Sequence, residues 1–285
     1  MTASNPPRDE SRIHLDSTAD IMSSIGSELA GRLSLVSLRG RRRRPAPPAL
    51  VLVAHGSRDP RALNTVRLLM ERVRELRPGV PVRLGHIELN EPLLPDTLAA
   101  LGDTPAVLVP LLLSRGYHVK RDIPEMAAAA AARTRVAAPL GPHPLLVETL
   151  YARLVEAGWR TGADDPVRRN GAVVLAAAGS RDPDSAADTR RTARLLAERL
   201  GVPVVPAYAS AATPTVEAAV RSLTARGRHR IAVASCFTAP GRFATQCAEE
   251  APWIASAPLG AHEAMTRLVL HRYDQALATP ATTAA

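Results

Sequence analysis

ALVLVAHGSRDP, residues 49–60, returns as AVVLAAAGSRDP at residues 172–183. In each copy a short run of apolar and small residues ends at a glycine, followed by Ser-Arg-Asp-Pro. That order predicts a buried strand, a tight exit loop, and a helix opened by an Asp with Pro at its first position. Two further segments repeat in the same order: AVLVPLLLSRGYH at 106–118 matches RIAVASCFTAPGR at 230–242, and APLGPHPLL at 138–146 matches APLGAHEAM at 257–265. The copies are thus offset by 123, 124 and 119 residues. Three matches in one order mark an internal duplication with a unit of about 120 residues.

Within the first copy, apolar residues recur at Leu63, Val66, Leu69, Met70, Val73 and Leu76, the three-and-four spacing of one helix face. VPVRLGHIEL (80–89) reads as the next strand, 95–101 as a helix, and AVLVPLLL (106–113) as a strand. An alanine-rich helix at 121–133, a short strand in TRVAAPL (134–140) and a helix from about His143 complete the copy. Strands alternating with helices at this spacing predict parallel sheets covered by helices on both faces. The expected fold is α/β, with two tandem flavodoxin-like βα repeats as domains at 49–160 and 170–275. Residues 1–48 end in RGRRRRPAPPA, whose like charges and prolines oppose packing, and read as a disordered extension and linker. Inside it, IMSSIGSELAGRLSLVSL (21–38) offers a weak helix without chemistry. Residues 276–285 read as a disordered tail.

Composition excludes several classes. The 285 residues carry a formal charge of +9 almost wholly through arginine, Lys120 being the only lysine. Aromatic residues make up 3% and none interleaves with Arg41–Arg44, so the basic run lacks the stacking partners of a nucleic-acid binder. Cys236 and Cys247 stand eleven residues apart, which suits neither a zinc site nor a disulfide framework, and the reading is a cytoplasmic protein of a reducing compartment. No apolar run approaches the ~20 residues of a membrane span. No G-x-G-x-x-G or P-loop follows any strand, which argues against a nucleotide binder.

In an open parallel sheet, ligands bind beyond the carboxyl ends of the strands. Three such exits carry chemistry: His55 after the first strand, Glu88 after the second in HIELNEP, and His118 after the third in SRGYHVKRDIPE. Two imidazoles and a carboxylate suit a divalent first-row metal, and equally a metal-free acid–base set. His86, two residues before Glu88, competes for a ligand role, although rim or core packing is the plainer reading. His143 and His262 recur in LGPH and LGAH at expected helix starts, where capping explains them. Cys236 reads as a small buried residue, and His14, His229 and His271 as surface residues.

The stretches LVLVAHGSRDPRA, HIELNEPLLPD and PLLLSRGYHVKRDIPE resemble the class II tetrapyrrole chelatases, the sirohydrochlorin chelatase group, and the resemblance covers residues 49–270 in a two-repeat form. It implies insertion of Fe²⁺ or Co²⁺ into a tetrapyrrole in sirohaem or cobalamin synthesis. His55 and His118 would hold the metal and Glu88 would stand beside them as the acid–base residue. The metal would be a substrate, with no permanently bound cofactor, and the partner a small-molecule tetrapyrrole rather than nucleic acid or membrane. Ser57 and Arg115, in the same stretches, are candidate substrate-binding residues. The alternative is a metal or tetrapyrrole carrier without turnover. In the second copy, Ala178 falls opposite His55, Ser210 opposite Glu88 and, aligning GYHVKR with PGRFAT, Arg242 opposite His118. That copy would keep the scaffold without the metal site, giving a monomer built as an internal pseudo-dimer, with Arg242 as a candidate grip for substrate carboxylates.

Overall fold

The computed structural model describes residues 22–23, 25–30, 32, 46–160 and 170–279. The chain divides into two compact units, Met1–Ala46 and Pro47–Ala285. In the first, residues 22–23, 25–30 and 32 are helical, within the segment read as a weak helix; the remaining residues before 46, residues 161–169 and residues 280–285 lie outside the described residues. Among the described residues no helix is long and apolar enough to cross a membrane.

The second unit contains two four-stranded parallel sheets. The first runs β1 (Ala49–Ala54), α1 (Pro60–Leu76), β2 (Val82–His86), α2 (Leu94–Ala99), β3 (Ala106–Pro110), a π-helical turn (His118–Asp122), α3 (Ile123–Ala128), β4 (Thr134–Val136) and α4 (Pro144–Glu156). The second runs β5 (Gly171–Ala177), α5 (Pro183–Leu200), β6 (Val204–Tyr208), α6 (Val216–Ala225), β7 (Arg230–Ser235), α7 (Arg242–Glu249), β8 (Ile254–Ala255) and α8 (Glu263–Ala278). Their strand orders are β2-β1-β3-β4 and β6-β5-β7-β8, the same order twice. β1, β3 and β5 are buried along their whole length. A central parallel strand is covered on both faces, which is why these segments are continuous apolar runs rather than alternating ones. Asp59 and Asp182 cap α1 and α5, each carboxylate accepting from the N–H two residues on, with Pro at the first helical position.

Three local expectations change. The helix expected at 121–133 begins earlier, as the π-helical turn at His118, and α3 ends at Ala128, so that the chain can turn into β4; the Thr134 hydroxyl donates to the Ala127 carbonyl across that turn. α8 continues to Ala278, past the expected start of a tail at 276. The Arg135 guanidinium holds that end by donating to the carbonyls of Ala276, Leu277 and Thr279.

The two halves share the largest of three apolar clusters, and each keeps a further cluster of its own. A single apolar cluster joins Leu50, Leu52, Val107 and Val109 of the first sheet to Val173, Leu175, Ala232 and Ala234 of the second, through Leu146, Leu150, Met265 and Val269 of the helices between them. The last helix of each half packs on the other half's sheet, α8 against β3 and α4 against β7. The Tyr273 hydroxyl of α8 donates to the Pro48 carbonyl at 2.6 Å, at the entrance to β1. The segments 49–160 and 170–275 are therefore two repeats but not two independently closed cores.

Candidate active site

The exit loops of β1, β2 and β3 face those of β5 and β7 across a cleft of about 1270 Å³. That exceeds the ~300–1,000 Å³ of a pocket for a drug-sized ligand. His55 leaves β1 directly into it, and the Glu88 N–H donates to the His55 carbonyl at 3.0 Å. Gly56 between them has φ +107°, and a Cβ there would run into the Glu88 carbonyl. Only glycine lets the two exits cross so closely, and the crossing sets His55 beside Glu88.

The side chains meet above it. His55 Nε2 lies 3.5 Å from Glu88 Oε1, and the His55 and His118 rings stand edge to face with centroids 4.8 Å apart. All three are partly exposed to the cleft, at 43%, 52% and 36% for His55, Glu88 and His118. His55 Nδ1 faces the Gly56 carbonyl at 3.4 Å. A carbonyl only accepts, so that pairing puts the proton on Nδ1 and leaves the Nε2 lone pair toward the Glu88 carboxylate. Two acceptors at that distance are reconciled by a cation or a proton between them.

His118 is set by a different device. The Ile123 N–H donates to the His118 carbonyl, closing a π-helical turn, of a kind frequent at functional sites. The wider turn brings Asp122 under the imidazole, and its carboxylate accepts from His118 Nδ1 at 2.5 Å. This fixes the tautomer and turns Nε2 outward, the usual second partner of a metal-binding histidine. Sequence reasoning passed over Asp122; its signal was the four-residue helical spacing from His118 in HVKRD. Among the described residues no group of three or more His, Cys, Asp or Glu side chains is placed to hold a metal ion together, so His55, Glu88 and His118 do not form a three-ligand site. The arrangement is a sparse one, with two imidazoles open to the cleft and one carboxylate beside each.

The other candidates separate. Ser57 lines the cleft, its N–H donating to Asn90 Oδ1 and its hydroxyl accepting from the Asp59 N–H. His86 is buried, and its Nδ1 donates to the Pro92 carbonyl at 3.1 Å. Arg242 opens α7 on the opposite wall. Arg115 is not among the cleft-lining residues: its guanidinium grips Asp188 of α5 with two hydrogen bonds, Nε to Oδ2 at 2.9 Å and Nη2 to Oδ1 at 2.7 Å. His143 and His262 cap α4 and α8, accepting from the N–H groups of Leu145 and Ala264. Cys236 is buried, which pushes its thiol up to about 12.

Register corrects one pairing between the repeats. Val53 lies opposite Pro110, and its counterpart Ala176 lies opposite Ser235, so the third strands match at an offset of one residue more than the sequence alignment assumed. The hydrogen bond from the Lys120 N–H to the Gly116 carbonyl recurs from Thr245 to Gly241, and that from Leu140 to Leu112 recurs from Leu259 to Phe237. Phe243 therefore takes the place of His118, Arg242 that of Tyr117, and Cys247 that of Asp122. The other pairings stand on the same kind of match: the Ser210 N–H donates to the Ala178 carbonyl as Glu88 does to His55. Both phenylalanines of the chain, Phe237 and Phe243, line the cleft. The second half thus gives the cleft a wall of mixed character, with Phe237 and Phe243 set among polar residues such as Thr238, Arg242 and Gln246.

Known proteins resemble this chain in sequence and in fold. A sirohydrochlorin ferrochelatase of Bacillus subtilis is 32% identical over 176 residues, covering 58% of this chain and 64% of that protein. A sirohydrochlorin cobaltochelatase of Methanococcus aeolicus is 40% identical over 81 residues, 27% of this chain and 57% of that protein. The chain spans about three-fifths of these relatives. Among solved structures, SirB from Bacillus subtilis with Fe³⁺ matches with a TM-score of 0.64 at 24% identity, covering 81% of this chain and 95% of that one. The SirB of subspecies spizizenii in complex with cobalt matches at 0.65 and 22%, covering 82% and 97%. At these identities the structures speak for the fold. The CbiX family model matches residues 49–157 and again 172–276, the same two repeats that the strands and their loops define, and the chain belongs to the CbiX family.

Proposed function

We propose that this protein is a sirohydrochlorin chelatase, inserting Fe²⁺ or Co²⁺ into the tetrapyrrole in sirohaem or cobalamin synthesis. The carrying observation is the pair of imidazoles 4.8 Å apart at the mouth of one cleft, with the Glu88 carboxylate 3.5 Å from His55. The names of the relatives, a ferrochelatase and a cobaltochelatase, support the same reaction. Incoming metal is a substrate that must be oriented and then surrendered to four pyrrolic nitrogens. Two neutral imidazoles hold a divalent ion weakly enough for that transfer, where a closed four-ligand cage would retain it.

Insertion converts a metal ion and a diprotonated macrocycle into the metal complex and two protons. Glu88, beside His55 and half exposed, accepts the two protons one after the other and passes each to solvent before the next. Asp122 keeps His118 in the tautomer whose Nε2 lone pair faces the ion. The wall formed by Phe237 and Phe243 gives the flat macrocycle an apolar face, while Ser57 and Arg242 supply polar contacts for its peripheral carboxylates. Both walls come from one chain, so the active species is a monomer. Its two cysteines are buried and free, in keeping with a reducing, cytoplasmic setting. Incubating the protein with sirohydrochlorin and Co²⁺ or Fe²⁺ tests the reading: an enzyme gives multiple turnovers of the absorbance change, whereas a carrier stops at one equivalent.

A further inference from the structure

His118 sits in a loop that the second half holds at both ends. Three residues before it, Arg115 gives its backbone N–H to Asp188 Oδ2 at 2.9 Å and its guanidinium to both oxygens of the same carboxylate. Two residues after it, the Lys120 ammonium meets Asp182 at 2.7 Å and Asp184 at 2.9 Å. Ser114 and Ser185 are joined through their hydroxyls at 2.9 Å. All four second-half partners lie on α5 or its cap. The Asp188 side chain is 5% exposed. A carboxylate buried that far needs hydrogen-bond donors in place of water, and Arg115 supplies three.

The duplication supplies the control. The repeat positions of Asp184, Ser185 and Asp188 in α1 are Arg61, Ala62 and Thr65, and those of Ser114, Arg115 and Lys120 are Ala239, Pro240 and Thr245. None of these reciprocal residues can make the charged pairs. The clasp therefore exists only at the end of the pseudo-dimer that carries His118. The half that has Ala178, Ser210 and Phe243 in place of the chemical residues has gained carboxylates at Asp184 and Asp188, and with Asp182, whose counterpart Asp59 is also acidic, they are directed at the loop of its neighbour.

We propose that Asp188, acting through Arg115, and the Asp182–Asp184 pair, acting through Lys120, are positioning residues that hold His118 at the metal site. This rests on the chelatase reading for its consequence but not for its geometry. Arg115 is then a structural tie rather than a substrate ligand, and the second half is a working part of the metal site.

The test uses the full chain with Asp188→Asn, Lys120→Met and Lys120→Arg, each checked for a cooperative melt. Hydrogen–deuterium exchange of residues 114–122 reads the clasp, and titration with Co²⁺ alone, followed by its visible absorption, reads the site. Asp188→Asn and Lys120→Met should speed exchange of this segment and weaken Co²⁺ binding about tenfold, the usual cost of losing a group that orients a metal ligand. Lys120→Arg, which keeps the charge, should restore both. Unchanged exchange overturns the clasp, and faster exchange with Co²⁺ affinity within about twofold of wild type overturns its positioning role. If the wild type takes up no Co²⁺ through His55 and His118, the chelatase reading fails instead, and exchange still decides the clasp. Should Asp188→Asn not fold, Lys120→Met on the exposed side carries the test alone.

Discussion

Phe243 occupies in the second half the place that His118 occupies in the first, and both line the same cleft. An aromatic ring stands where the first half has an imidazole of similar size. On the chelatase reading proposed above, an apolar plate of this kind would suit one face of a macrocycle while the ion is offered to the other.

Phe243→Ala should accordingly weaken macrocycle binding and leave metal binding by the protein intact. Loss of one buried aromatic face costs about 1–3 kcal/mol, so KM for sirohydrochlorin should rise roughly tenfold or more while the Co²⁺ titration of the free protein is unchanged. A fall in Co²⁺ affinity would show that Phe243 supports the histidines rather than the substrate.

Arg242 stands at the counterpart of Tyr117, exposed on the same wall, with its guanidinium 5.0 Å from the Phe243 ring. Arg242→Ala should raise KM for a polycarboxylate macrocycle with little change in kcat, because the lost contact is made equally in the ground and transition states. Unchanged KM returns Arg242 to the ordinary surface.

Asp122→Asn leaves the shape of the turn but replaces a full acceptor by an amide that can also donate. His118 loses the anion that fixes its tautomer, and Co²⁺ affinity should fall ~10–100-fold. Isothermal titration of the free protein checks this, and an affinity equal to wild type would mean that Asp122 serves only the π-helical turn.

The pH dependence of stability should carry a signature far from the cleft. Burial first, then the charges of Arg272 and His271, lowers His143 from its ordinary 6.5 to about 4. Above pH ~6.5 the imidazole is neutral both folded and unfolded and contributes no slope. As pH falls from there toward 4, the unfolded chain takes up a proton that the folded chain refuses, and stability drops. Melting temperature should decline over that window in the wild type, and less steeply in His143→Asn, which keeps a capping oxygen for the Leu145 N–H. Equal slopes would assign the decline to other groups.

Much of this was legible in the sequence because it is written in local pattern. Apolar runs bounded by Gly-Ser-Arg-Asp-Pro give both first strands, and the strand-exit rule finds His55, Glu88 and His118 together. What escaped depends on register and on contacts distant in sequence. The third-strand alignment of the repeats slips by one residue because the apolar runs AVLVP and IAVAS align almost equally well in either register; only the pairing of Ala176 with Ser235 fixes it. The grip of Arg115 on Asp188 could not be read from the sequence, because the two are 73 residues apart. The exchange of α4 and α8 between the sheets has no signature in either helix, since each shows an apolar face whichever sheet receives it.

The central claim is that His55 and His118 deliver the metal. The most direct measurement is the rate of Co²⁺ insertion into sirohydrochlorin by the wild type, His55→Ala and His118→Ala, with folding of each verified. Catalytic turnover by the wild type is expected, with a loss of at least ~100-fold in each variant, beyond what removal of an orienting neighbour costs. Insertion by either folded variant within about tenfold of wild type, or a wild type no faster than the spontaneous reaction, would contradict the claim.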